Sequence, residues 1–324
     1  MDETGPEPVP RDVPAPDGTR LRLWTREAST AADERADEAV LFVHGATYPG
    51  RAVFDPAPEL SWLAHAAERG RSAYALDLRG YGDSETPVAM DAAPGEAEPP
   101  CRAATVADDV AAAVAAIGES RVHLVGYSWG TVVCGELLAR NTDASVRAAS
   151  FTAFAPVFRP APSLVEGFAL GDPPAPARRV TRQDALDRWT AQFPDAVDPF
   201  TYRDPAVFPQ FWNALHDSGQ VVAANVPTVR APNGVLVDLR GAVDAEPYDP
   251  SRVTVPSFVV RGSFDPTATR EDALGLYDAL PNARGYREVA GGTHFLPLEK
   301  RRGELFDAVA TFQDGVGGGR TGDR

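Results

Sequence analysis

Three residues in this 324-residue sequence, Ser128, His294 and Asp265, are of types that can be combined into one reaction centre. Ser128 stands between two glycines in Gly126-Tyr127-Ser128-Trp129-Gly130, after the apolar run Val122 to Val125 and before a helical pattern over Thr131 to Ala139. A serine where a strand turns sharply into a helix is a nucleophile elbow, and small residues two before and two after let the two elements approach without collision. The helix start that follows aims free N–H groups and a positive dipole end at the site, which favours negative charge there. Outside that setting the same five residues would describe a serine in an ordinary turn.

A serine hydroxyl is a weak nucleophile until a base takes its proton and an acid orients the base. The chain has five histidines. His65 falls in a helix pattern, His123 begins the strand feeding Ser128, His216 lies in a proline-interrupted middle segment, and His44 ends a strand. His294, in Gly291-Gly292-Thr293-His294-Phe295, sits between the last strand and the last helix. Open α/β sheets place their sites at that edge, so His294 is the expected base, with His216 as the fallback. The acid should lie upstream and follow a strand. Asp265 does so, directly after Phe258-Val259-Val260, whereas Asp238, Asp244 and Asp249 have no strand to fix them. Asp265 is the expected acid; the alternative is that it caps the helix expected from Thr267, because caps favour aspartate.

Acyl transfer also needs donors for the tetrahedral oxyanion, each worth on the order of 3 kcal/mol when correctly aimed. The backbone N–H groups of Trp129 and Ala46 are the expected pair, and His44 beside them reads as a loop-fixing residue. Tyr127, Trp189 and Trp212 are the expected substrate contacts. Most other aromatic residues of the middle segment are assigned to packing.

The elements that must position these residues alternate. Strand-like runs cover Arg20 to Trp24, Ala39 to Val43, Ala73 to Leu76, Val122 to Val125, Ala149 to Phe154, Phe258 to Val260 and Gly285 to Val289. Helical patterns cover Glu59 to Glu68, Val106 to Ile117, Thr131 to Ala139, Thr267 to Ala279 and Gly303 to Phe312. Alternation of this kind predicts an α/β fold with a mostly parallel central sheet flanked by helices. The rhythm stops between about Pro156 and Thr254. There a helix start at Thr181-Arg182-Gln183-Asp184 precedes Leu186, Trp189 and Phe193, and Phe208, Phe211, Trp212 and Leu215 share a second helical face. The expected organisation is a core of residues 18–155 and 255–314, a helical cap inserted at 156–254, and mobile tails at 1–17 and 315–324.

Composition narrows the function. A net charge of −15 without a basic stripe argues against nucleic acid. The acidic, proline-rich start lacks the form of an export signal, and no run reaches the ~20 apolar residues of a membrane span. A cytoplasmic location is expected. Cys101 and Cys134 suit a reducing compartment and form no metal-type spacing, so neither metal nor cofactor is expected. The expected partner is a small-molecule substrate, with a homodimer left open.

Together these stretches resemble the α/β-hydrolase superfamily over nearly the whole chain except the tails. The resemblance rests on LFVHGATYPG, on Leu76-Asp77-Leu78-Arg79-Gly80-Tyr81-Gly82-Asp83-Ser84, on GYSWG, VPSFVVRGSFDP and GGTHF, and on the order Ser128, Asp265, His294. It implies a structural role for Asp77 and Asp83. Haloalkane dehalogenases and epoxide hydrolases of that fold carry an aspartate at the elbow, unlike Ser128. Proline iminopeptidases have a similar motif, usually with glycine in place of Tyr127. The resemblance implies a cofactor-free serine hydrolase of a small, largely apolar carboxylic ester, thioester or lactone. An amidase or carbon–carbon hydrolase using the same three residues, and a non-catalytic binding protein, are the alternatives.

Overall fold

The structure is a computed structural model that describes residues 7–29, 37–141, 145–168, 170–222 and 226–317. In chain order its strands are β1 (Val9–Pro14), β2 (Arg20–Arg26), β3 (Glu38–Val43), β4 (Ser72–Asp77), β5 (Arg121–Tyr127), β6 (Ala148–Phe154), β7 (Ala177–Thr181), β8 (Val221–Val222), β9 (Thr228–Pro232), β10 (Ser257–Gly262) and β11 (Ala283–Val289). The helices are α1 (Gly50–Phe54), α2 (Trp62–Glu68), α3 (Ala103–Ala116), α4 (Trp129–Arg140), α5 (Pro162–Glu166), α6 (Arg182–Thr190), α7 (Val207–Asp217), α8 (Gly234–Gly241), α9 (Arg270–Ala279) and α10 (Arg302–Gly317).

Eight strands form one sheet in the order β1-β2-β4-β3-β5-β6-β10-β11. β1 and β2 run antiparallel to their neighbours, and every pairing from β4 to β11 is parallel. Parallel strands covered on both faces must be apolar on both sides. β3 accordingly buries all six of its residues. Val106, Val110, Val132, Val133 and Leu276 pack one face of the sheet, while Trp62, Leu63, Phe306 and Val309 pack the other. This arrangement brings the C-terminal ends of β3, β5 and β10 to one edge, where the loops carrying Ala46, Ser128 and Asp265 leave the sheet. No helix among the described residues is long and apolar enough to cross a membrane.

Four expectations need correction. The N-terminal tail is shorter than expected, because Val9–Pro14 pairs with Arg20–Thr25 as an edge strand; its residues are mostly exposed, so its sequence carries no apolar run. Met1 to Pro6 lie outside the described residues, as do residues 318–324, while Gly315 to Gly317 continue α10. The helix expected from Thr267 begins at Arg270 behind Thr269, whose hydroxyl accepts from the Asp272 N–H. Finally, the inserted segment is not purely helical. It contains α5 to α8 and a three-stranded antiparallel sheet in the order β7-β9-β8. β7 reads Ala-Arg-Arg-Val-Thr with every residue at least partly exposed, which leaves no hydrophobic alternation to signal a strand. The start at Thr181 is as expected, a reciprocal capping box with Asp184.

Candidate active site

Ser128 follows β5 and caps α4 with φ 56° and ψ −124°. A side-chain-bearing residue rarely adopts that backbone, and it persists where the surroundings over-determine it. Here they do. The Ser128 N–H donates to the Phe154 carbonyl at 2.9 Å, and its carbonyl accepts from the Thr131 N–H at 2.9 Å and from Oγ1 at 2.6 Å. Gly130 makes the crossing of α4 over β3 feasible, since a Cβ there would run into the Val43 carbonyl oxygen. A Cβ on Gly45 would lie 2.8 Å from that of Ser128. The requirement at Gly45 was not drawn from the sequence, because it arises only when the loop after β3 is laid against the elbow.

The structure brings the three expected residues together. Nε2 of His294 lies 2.9 Å from Ser128 Oγ, and Nδ1 lies 2.7 Å from Asp265 Oδ2. An ionised carboxylate only accepts, so Nδ1 carries the proton and Nε2 is free to accept from the hydroxyl. The other Asp265 oxygen accepts from the N–H groups of Thr267 and Ala268, at 2.8 and 2.9 Å. One oxygen of Asp265 therefore faces the histidine while the other caps the turn at Thr267 and Ala268, and the helix itself is capped by Thr269. Arg261 braces the same loop by donating to the carbonyls of Ala268 and Asp265, at 2.7 and 2.9 Å. The other histidines stand elsewhere. His65 contacts Asp307, His123 contacts Ser150, and His216 is exposed on α7.

The loop after β3 is fixed from several directions. His44 accepts from the Leu78 N–H at Nε2, 3.1 Å away, and its Nδ1 reaches the Gly45 carbonyl at 2.8 Å. Complete burial pushes the imidazole pKa down to about 4, so at neutral pH the ring is a neutral brace, as expected. The Ala46 carbonyl accepts from the Tyr81 hydroxyl at 2.8 Å and from Arg178. These bonds orient the carbonyl side of the loop. Among the described residues neither the Ala46 nor the Trp129 N–H has a hydrogen-bond partner.

Ser128 and His294 line a narrow recess of about 20 Å³ together with Gly45, Ala46, Thr47, Tyr48, Val53, Tyr127, Arg188 and Phe295. Of the expected substrate contacts, only Tyr127 lines it, and its hydroxyl donates to the His294 carbonyl at 2.8 Å. Trp189 and Trp212 do not. Trp189 is fully buried, stacks on Phe295 with ring centres 5.0 Å apart, and donates its indole N–H to Glu299 at 2.9 Å. Trp212 packs beside Phe208 in α7. Helical spacing identifies a buried face but not what covers it, so indoles facing the base loop and indoles facing a ligand read alike.

The inserted segment also reaches the loop around His294 through Gln192, and Glu299 braces that loop from within the core. Gln192 Oε1 accepts from the His294 N–H at 2.8 Å. Glu299 accepts from Thr293 through its N–H at 3.0 Å and its hydroxyl at 2.5 Å, and burial raises its pKa. Neither residue stands in a local pattern that sequence could single out. The assembled chain of hydroxyl, imidazole and carboxylate, with free N–H groups beside it, has the parts for moving a proton off Ser128 and holding negative charge on a bound carbonyl oxygen.

The model of the alpha/beta hydrolase family matches residues 40–308, and the chain belongs to that family. Its fold is similar to that of an esterase from Exiguobacterium antarcticum, with TM-score 0.64 and 15% identity over 94% of this chain and 100% of that one. It is also similar to E-2-(acetamidomethylene)succinate hydrolase, with TM-score 0.65 and 17% identity over 95% and 99% of the two chains. An esterase from Rhodococcus sp. ECU1013 gives 0.63 and 17% over 95% and 99%. No curated protein matches the sequence.

Proposed function

We propose that this protein is a cofactor-free serine hydrolase acting on the carboxylic ester of a small substrate. The observation that carries the reading is the continuous chain from Ser128 Oγ through His294 to Asp265, with separations of 2.9 and 2.7 Å, on a serine held at positive φ. In this reading Ser128 Oγ adds to the ester carbonyl as its proton passes to His294 Nε2. The N–H groups of Ala46 and Trp129 hold the oxyanion, and Asp265 stabilises the imidazolium. Collapse expels the alcohol, which takes the proton from Nε2 and leaves an acyl group on Ser128. Water, deprotonated by the same imidazole, then releases the acid.

The inserted segment acts as a cap, its residues Gln192 and Trp189 steadying the base loop while Arg188 closes the recess. The test is labelling by a fluorophosphonate. Modification of Ser128 together with loss of turnover of short p-nitrophenyl esters supports the reading. A folded protein that is neither labelled nor active on esters overturns it.

A further inference from the structure

The recess that holds Ser128 and His294 also holds two polar groups that the reaction does not use. Tyr48 is 7% exposed, and its hydroxyl is buried with no hydrogen-bond partner. A buried hydroxyl left bare is costly, and of the two bare tyrosine hydroxyls among the described residues, those of Tyr48 and Tyr248, only Tyr48 belongs to a residue lining this recess. Arg188, projecting from α6, lines the same recess and makes no hydrogen bond or ion pair among the described residues; its guanidinium lies over the face of Phe168, 5.3 Å from the ring centre. That is unusual in a chain with a net charge of −15, where acids outnumber bases.

The acids of this region have other partners. Asp265 holds His294, Glu299 accepts from Thr293 and Trp189, and Asp184 closes the cap at Thr181. A second guanidinium adds to the positive field, since Arg178 donates to the carbonyls of Ala46 and Pro232, to Thr47 Oγ1 and to Asn233 Oδ1, with no carboxylate among its partners. Burial raises the pKa of the Tyr48 hydroxyl, Arg188 and Arg178 act against that rise, and Asp184 adds to it. A partly dehydrated recess lined by a tyrosine with a bare O–H and an arginine without an ion pair offers donors of the kinds that a carboxylate accepts from.

The geometry points to a substrate that carries a free carboxylate within a few bonds of the scissile ester, held by Arg188 and the Tyr48 hydroxyl. This assignment rests on the reading of Ser128 as the nucleophile. It narrows the substrate from small apolar esters to half-esters of dicarboxylic acids or esters of short hydroxy acids. Arg188 and Tyr48 then set specificity and act mainly on binding.

The experiment compares two matched pairs. Monoethyl glutarate is set against ethyl 5-methylhexanoate, and the acetate ester of 4-hydroxybutanoate against 4-methylpentyl acetate, so that an isopropyl group replaces the carboxylate in each pair. In at least one pair kcat/KM should favour the anionic ester by about tenfold or more. In Arg188→Met that ratio should collapse, chiefly through KM, while Arg188→Lys keeps part of it and Tyr48→Phe lowers it several-fold. Circular dichroism and melting temperature check that each variant folds. Calorimetric binding of monoethyl glutarate to Ser128→Ala, lost in Ser128→Ala/Arg188→Met, gives a second readout that does not need turnover.

Ester turnover and Ser128 labelling without preference for either anionic ester overturn the carboxylate assignment alone. Absence of labelling and of all ester turnover overturns the hydrolase reading, and the calorimetry then decides the anion site by itself.

Discussion

Gln192 accepts a hydrogen bond from the backbone N–H of His294 at 2.8 Å, while Tyr127 donates to the carbonyl of the same residue at 2.8 Å. The inserted segment and the strand that carries Ser128 thus grip the histidine from opposite sides. Gln192→Ala leaves a buried N–H unpaired, at a cost of about 1–3 kcal/mol. It should lower kcat for p-nitrophenyl acetate more than it raises KM, and it should shift the pH profile of kcat/KM. Gln192→Glu, which keeps an acceptor there, should recover most of the loss.

Asp265→Asn separates the two duties of this residue. Asparagine retains an oxygen for the N–H groups of Thr267 and Ala268, so the turn should survive and the melting temperature should change little. The amide then faces Nδ1 of His294 and favours the wrong tautomer. A fall in kcat of roughly 10⁴-fold is expected, and a variant with near-normal kcat would exclude Asp265 from the reaction.

Gly130→Ala tests the packing beneath the elbow. The added methyl would run into the Val43 carbonyl oxygen and press on that of His44, and neither backbone group can rotate away. A loss of about 3 kcal/mol is expected, seen as a fall in melting temperature of roughly 4–5 °C for a chain of this size.

His44 gives stability a pH dependence of known sign. Its folded pKa is about 4 against an ordinary 6.5, so between those values the unfolded chain binds the proton and the folded chain does not. Stability is therefore full above pH 6.5 and is lost as pH falls toward 4, by about 3 kcal/mol for a shift of this size. His44→Gln should flatten the slope of unfolding free energy against pH across that window by up to one proton. An unchanged slope would mean that His44 does not titrate as its burial requires.

Ser128, His294 and Asp265 could be read from the sequence because each sits in a local frame that constrains it: a serine between glycines at a strand-to-helix turn, a histidine in a Gly-Gly loop, and an aspartate directly after a buried strand. His44 was legible as a brace for the same reason. Gln192, Arg188, Tyr48 and Glu299 were not. Each owes its place to packing between segments far apart in the chain, as when Gln192 meets His294 or Trp189 meets Glu299. The edge strand at Val9 and the small sheet around Arg178 were missed because exposed strands need no apolar alternation.

By itself the sequence determined the alternating α/β core, the elbow and the order of Ser128, Asp265 and His294, because hydrophobic periodicity and backbone-permissive glycines act over a few residues at a time. Only the tertiary structure decided what surrounds them. Whether an indole faces a ligand or a neighbouring loop, and whether an arginine meets a carboxylate or lines a recess without one, depends on which distant elements share one volume. Trp189 and Arg188 are adjacent in α6, and folding turned one into the base loop and left the other lining the recess.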